Sequence, residues 1–195
     1  MPATSPTFAG RENVLPSMPR SRTGEKRQEE IAKAHLGDVW RFLRAVGVPP
    51  EAVDDATQEV FLVLARKLDN VQPGAEKSFL FSTAVNVSRE LRRKHTREEL
   101  ADDPDDERLE PALLSTPEDS FDRKEEQGLL MRLLEGLDAD LRTPFVLYEI
   151  EGQSVNEIAA MLGVPAGTIA SRLRRAREKF EARLQRLHLK MRGER

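Results

Sequence analysis

The chain has 195 residues, of which 33% are charged and only 5% aromatic, and carries a formal net charge of -3. It has no cysteine, which excludes a disulfide framework and a thiolate metal site and fits a reducing cytosol. His35, His95 and His188 lie far apart in sequence, so neither a zinc site nor a catalytic histidine cluster is expected. Few aromatic and β-branched residues predict an all-α protein, and a hydrophobic fraction of 38% suits two small helical domains better than one large core. No stretch reaches the roughly 18 apolar residues that span a bilayer, and the Pro-, Ser- and Thr-rich start lacks the apolar block of a signal peptide. No membrane insertion and a cytoplasmic location follow as expectations.

Residues 1–27 hold no helical period and are expected to be a disordered tail. From about Gln28, Ile31, Ala34, Val39, Trp40, Phe42, Leu43 and Val46 recur as a helical face that ends at Gly47 and Pro49-Pro50. Trp40 is read as core. EAVDDATQEVFLVLARKL (51–68) puts Val53, Ala56, Val60, Phe61, Leu64 and Leu68 on one stripe and turns Asp54, Asp55, Gln58 and Glu59 elsewhere. After a turn at Asn70, Pro73 and Gly74, SFLFSTAVNVSRELRRKHTR (78–97) resumes the pattern, apolar at first and then basic. Residues 98–122 reverse the sign, with Arg108 as the one base among many acids and three prolines. Such a stretch cannot bury a core and is predicted to be a flexible acidic linker, which hides two basic modules behind the small net charge.

Beyond the linker, Leu129, Leu130, Leu133, Leu134 and Leu137 mark a helix ending near Gly136. Thr143-Pro144 has the form of a cap with proline in the first turn of another. Ser154 and Glu157 have capping-box spacing ahead of Ile158, Met161 and Leu162, and Gly163 makes a brief turn into a long helix with Ile169, Leu173, Ala176, Phe180, Leu184 and Leu187. A short helix, a glycine turn and a basic second helix are the ingredients of a helix-turn-helix, whose second helix lies in the DNA major groove. With Ile169 set as the buried direction, a turn of about 100° per residue places Ser171, Arg174 and Arg175 on the opposite face. Thr168 and Arg172 then lie on one flank and Arg177 on the other. Arginine can grip guanine O6 and N7 with two bonds, so the outward face suits base reading and the flanks suit phosphate contact. A solvated face that merely keeps a bundle soluble is the plainer alternative.

The order and spacing of these segments over about residues 28–190 resemble a bacterial sigma factor of the extracytoplasmic function (ECF) class, within the sigma-70 family. The resemblance implies four parts: a tail (1–27), a sigma region 2-like domain (28–97), the linker (98–124) and a region 4-like helix-turn-helix domain (125–192). EIAAMLGVPAGTIASRLRRAR is similar to the family segment that reads the promoter minus-35 element, with Ala170 where many members carry Lys or Arg. That departure shifts the expected contacts toward Ser171, Arg172 and Arg175. DDATQEVFLVLARKLDNV is similar to the core-binding helix, which implies that Asp55, Gln58 and Glu59 meet the clamp helices of the RNA polymerase β′ subunit. AEKSFLFSTAVNVSRELRRK corresponds to the part that reads and melts the minus-10 element. The carry-over assigns Asn70, Lys77, Phe79 and Asn86 to that task, and Arg89, Arg92 and Arg93 to nearby phosphates. Phe81 is read as core, and Ser82 stands where the family usually has an arginine.

The implied partners are core RNA polymerase, also through its β flap and the C-terminal domain, promoter DNA, and an anti-sigma factor of the kind that often holds such proteins inactive. No cofactor, metal or catalytic residue is expected, and no Gly-rich phosphate loop, nucleophile elbow or HExxH motif is present. A stand-alone helix-turn-helix regulator, which would dimerise on paired half-sites, and a helical adaptor are the rival readings.

Overall fold

The computed structural model describes the backbone of residues 22–99 and 121–193. The expected disorder of most of the tail and of most of the acidic linker falls outside these residues. Among the described residues there are seven α-helices and no strand: α1 (Arg22–Ala45), α2 (Pro50–Lys67), α3 (Glu76–Glu99), α4 (Phe121–Glu135), α5 (Ala139–Glu149), α6 (Val155–Leu162) and α7 (Ala166–Gly193). A 3-10 turn, Leu68–Asn70, follows α2.

Helices α1, α2 and α3 pack mutually. The predicted apolar stripes supply the contact: Val39, Phe42 and Leu43 from α1, Val53, Val60 and Leu64 from α2, and Leu80, Phe81 and Val85 from α3 are all buried. The rings of Phe42 and Phe81 lie 5.1 Å apart and tilted by 59°, within the range of attractive aromatic pairs. Phe81 is thus a core residue, as expected from the sequence. In the other unit α4, α5 and α6 pack on α7, burying Leu134, Val146, Leu147, Ile158, Ile169, Leu173 and Ala176. Phe145 and Phe180 close its edge at 5.1 Å.

Four features differ from the sequence expectations. First, α1 begins at Arg22 rather than near Gln28, so the end of the expected tail is helical. An ionic anchor holds it where no apolar face exists: Arg27 donates to the Val71 carbonyl and to Glu76, each at 2.8 Å. Second, the described helices run to Glu99 and resume at Phe121, which shortens the interval assigned to the linker. Third, α5 starts at Ala139, with Asp138 as its cap, and contains Pro144 within the helix. The missing proline N–H leaves one carbonyl in the preceding turn without its helical donor, yet Thr143 and Pro144 are buried, so packing overrides the local preference for a break. Fourth, the two units do not stand apart: α3 packs on α6, and one contiguous cluster of buried residues runs through both. Trp40 lies at the margin of that core, half-buried, with its indole N–H donating to Asp54 at 2.8 Å.

Candidate nucleic-acid interface

The most regular local geometry in the molecule is the α6–turn–α7 element. Its N-terminus carries the predicted capping box: Ser154 Oγ accepts the Glu157 backbone N–H at 3.3 Å, and the Glu157 carboxylate accepts the Ser154 N–H at 2.8 Å. Hydrogen bonds from Ser154 hold the Glu157 carboxyl below its ordinary value, and two otherwise orphaned donors are satisfied. At the other end Gly163 adopts φ 67°, ψ 34°, a left-handed conformation that side chains with a Cβ disfavour. The chain turns there, and the Pro165 carbonyl accepts the Thr168 N–H at 2.9 Å to open α7.

Helical phase then sorts the α7 side chains as expected. Ile169, Leu173 and Ala176 are buried, while Ala170, Arg174, Arg175 and Glu178 are exposed. Ser171 is half-buried, and its hydroxyl donates to the Thr168 carbonyl at 2.8 Å, which leaves its oxygen lone pairs to face outward as acceptors. Thr168 and Arg172 are half-buried on their flank.

The arginines differ in how they are held. Arg174 bonds Glu178 one turn on, at 2.6 Å. Arg177 bonds Glu149 of α5 at 2.6 Å and lies 5.2 Å from the centre of the Tyr148 ring. The hydrogen bond that Arg177 donates to Glu149 raises the Arg177 pKa, so the guanidinium is still more firmly protonated. Arg172 stands 3.9 Å from Asp140, and Lys179 bonds Asp138 at 2.5 Å. Arg175 alone of the four clustered arginines has no hydrogen-bond or ion-pair partner among the described residues. The partners Asp138, Asp140 and Glu149 were not foreseen, since nothing local in α5 marks them as facing α7. All these pairs are solvent-exposed to a degree that makes them weak and readily exchanged for phosphate.

The expected DNA-contacting residues of the first unit are arranged differently. Asn70, Asn86 and Arg93 are exposed, and Phe79 is half-buried. Gly74, at φ 88°, donates its N–H to Glu76 at 2.6 Å and shapes the loop from Asn70 to Lys77. Lys77, Arg89 and Arg92 are each tied to a backbone carbonyl. Arg92 donates to the Val46 carbonyl at 3.1 Å, and burial lowers its pKa. Lys77 and Arg89 reach across to the other unit, donating to the carbonyls of Glu151 and Leu162 respectively. The reason is spatial: α6 lies against α3, and unsatisfied carbonyls near helix ends attract cations.

On the opposite side of the first unit, Asp55, Gln58 and Glu59 are exposed on α2, with Glu59 3.9 Å from Arg66. Beside them a groove of about 410 Å³ between α1 and α2 is lined by Leu36, Trp40, Asp54, Gln58, Phe61 and Leu62 among others. Leu36 and Leu62 are exposed hydrophobics there. Their exposure is visible only once α1 and α2 are packed, because both residues sit outside the buried stripes. No helix among the described residues is long and apolar enough to cross a membrane.

Comparisons with known proteins agree with this layout. The family described as Sigma-70 region 2 matches residues 31–98, and that described as Sigma-70, region 4 matches residues 127–180. The ECF RNA polymerase sigma factor SigE of Mycolicibacterium smegmatis is 30% identical over 152 residues, 78% of this chain and 59% of the relative. The chain thus spans less than two thirds of that protein's length. The ECF RNA polymerase sigma-E factor of Escherichia coli K12 is 34% identical over 146 residues, covering 71% of this chain and 76% of the relative. Among solved structures, the sigma factor RpoE in complex with the anti-sigma factor NepR from Bartonella quintana superposes with a TM-score of 0.68 at 24% identity, over 82% of this chain and 98% of that one. CnrH, in complex with the cytosolic domain of CnrY, gives a TM-score of 0.59 at 24% identity, over 83% and 89%. Two helical units matched in order by regions 2 and 4, together with the extent of these likenesses, establish that the chain belongs to the ECF class of the sigma-70 family of RNA polymerase sigma factors.

Proposed function

We propose that this chain binds core RNA polymerase and directs promoter-specific initiation, acting as a DNA-binding initiation factor without catalysis of its own, in the cytoplasm. The observation that carries the reading is the α6–turn–α7 element, with its buried Ile169 side and an outward face bearing Ser171, Arg174 and Arg175. That face reads the minus-35 element in the major groove, while Thr168, Arg172 and Arg177 hold flanking phosphates. The α1–α3 unit, assigned from residue 28 onward at sequence level, serves as the region 2-like domain. Its Asp55, Gln58 and Glu59 meet the β′ clamp helices, and the region 4-like unit meets the β flap. Asn70, Lys77, Phe79 and Asn86 read and help melt the minus-10 element, with Arg89, Arg92 and Arg93 on the adjoining phosphates. Each unit alone can bind weakly, because polymerase fixes their separation and the second contact gains from effective concentration.

An anti-sigma factor is the further proposed partner, supported by the solved neighbour RpoE, which was captured with the anti-sigma factor NepR. The decisive experiment is reconstitution with core polymerase on genomic DNA, followed by sequencing of transcript 5′ ends. Starts sharing a two-part upstream sequence are expected; initiation no different from core enzyme alone would defeat the reading.

A further inference from the structure

Three guanidiniums from separate helices converge on one short turn. Arg44 of α1 donates to the Val48 carbonyl at 2.9 Å, and Arg92 of α3 donates to the Val46 carbonyl at 3.1 Å. Between these acceptors stands Gly47, at φ 95°, where a Cβ would clash with the Arg142 guanidinium of α5. Arg142 is also held by the Leu137 carbonyl, which accepts its Nε–H at 3.3 Å. A fourth guanidinium, Arg183 of α7, lies so closely over Gly136 that a Cβ there would overlap it, and it donates to the Arg132 carbonyl at 3.4 Å. Two glycines thus leave the room that two arginines occupy.

Helix-end capping explains only part of this arrangement. Carbonyls around the end of α1 attract cations, yet each bond above uses a single N–H of a planar fork that has five. All four guanidiniums belong to half-buried residues, and among the described residues no carboxylate forms an ion pair with any of them. The acids that act on them are Glu135, felt by Arg44 and Arg142, Glu51, felt by Arg44, and Asp138, which is already bonded to Lys179. Glu135 and Glu51 are exposed, so solvent screens them. Burial lowers the pKa of Arg44, Arg92 and Arg142; Arg89 adds to the effect at Arg92, and Arg92 and Arg183 add to it at Arg142.

Like charges gathered in a partly dry corner are relieved by an anion that satisfies several of them at once. Arginine forks match phosphate oxygens two at a time, and forks arriving from four helices suit linked phosphoryl groups better than a single one. We propose that Arg44, Arg92, Arg142 and Arg183 form a binding site for a small anion with linked phosphoryl groups, such as the phosphate chain of a nucleotide or inorganic polyphosphate. The site is separate from the Ser171, Arg174 and Arg175 face and holds whether or not that face reads DNA. Arg92 and no other member is also assigned to DNA phosphates, so the test turns on Arg44 and Arg142.

Isothermal titration calorimetry of the full chain with inorganic tripolyphosphate, free of divalent cations, should show one saturable site. Arg142→Gln and Arg44→Gln should each weaken it at least about tenfold, the scale of one hydrogen bond to a charged group. Arg186→Gln, the same charge change at an exposed position of α7, should alter it less than about twofold. Thermal melting without the anion checks that each variant folds. Arg142→Lys, which keeps the charge and most of the bulk, should still lose at least about threefold because the fork is gone; undiminished affinity would overturn recognition by the guanidinium. Equal losses in all three glutamine variants would reduce the attraction to diffuse charge and overturn the site, as would the absence of saturable binding. A nucleoside triphosphate titrated in parallel identifies the source: tighter binding than tripolyphosphate assigns a nucleotide, weaker binding assigns polyphosphate, and the Arg142→Gln loss should recur in both. A short DNA duplex that suffers the same loss from Arg142→Gln would make the cluster a DNA contact and overturn the small-anion assignment.

Discussion

The two units present their basic side chains in opposite ways. In α7 the cations stand in solvent and are balanced by carboxylates: Arg174 by Glu178, Arg177 by Glu149 and Lys179 by Asp138. In α3 three of them are turned onto backbone carbonyls, Lys77 and Arg89 across the seam and Arg92 within its own unit. An exposed carboxylate can be exchanged for a phosphate with little change in free energy, because both ion pairs are screened. A carbonyl within a packed seam can be exchanged only if packed surfaces separate first. The difference teaches that the α7 cations are held by exchangeable carboxylates, whereas Lys77, Arg89 and Arg92 are held by fixed backbone oxygens.

The largest expected effect lies within α3 itself, in paired aromatic substitutions. Phe81→Ala removes a fully buried ring tilted against Phe42 and should cost about 3–5 kcal/mol of stability in denaturant titration. Phe79, half-buried, should lose much less on the same change while slowing promoter opening, read by permanganate reactivity of unpaired thymines. Equal stability losses would place both rings in the core. Next in size is Arg175→Ala, which should cost about 1–3 kcal/mol at a single base position if the side chain reads a base edge. Competition with a panel of point-substituted promoters checks this, and a uniform loss across the panel would make Arg175 a phosphate contact.

A loss of about 1 kcal/mol is expected for Ser154→Ala, which removes one arm of the capping box; thermal melting checks it. pH sharpens the contrast further. The hydrogen bond from Arg27 holds the Glu76 carboxyl below its ordinary value, so that contact contributes fully above the ordinary carboxylate pKa and is lost as pH falls through the lowered one. Glu151 behaves oppositely: burial raises its pKa, so the folded chain binds a proton there more tightly than the unfolded one. Acidification toward the ordinary carboxylate range should therefore favour the packing of the Glu151 turn against α3 while loosening the start of α1, both read by amide exchange. Opposite trends, followed by amide exchange near Arg27, would reverse these assignments.

What could be read from the sequence was whatever repeats locally. The phase of Ile169, Leu173 and Ala176, the Ser154/Glu157 spacing and the Gly163 turn depend on residues within one or two turns of each other, and all three recur in the fold. Phe81, read as core in preference to contact with DNA, is buried. Illegible were the contacts between residues far apart: Arg27 with Glu76, Arg177 with Glu149, Lys77 with the Glu151 carbonyl. A carbonyl acceptor carries no side-chain signature, so the Leu162 end of α6 could not be marked in advance as a partner for Arg89. Pro144 misled for a related reason, since its local tendency to break a helix was outweighed by burial within α5.

The groove between α1 and α2 contains the chain's single tryptophan, Trp40, held by Asp54 and flanked by Leu36 and Leu62. The fold has thereby placed its one indole fluorophore beside the face assigned to polymerase. Within this chain, emission excited at the tryptophan band comes from that groove alone, so a tryptophan-free polymerase fragment seated there should shift the spectrum while DNA held at α7 leaves it unchanged. A single unmodified side chain can therefore time the arrival of the polymerase separately from the arrival of the promoter.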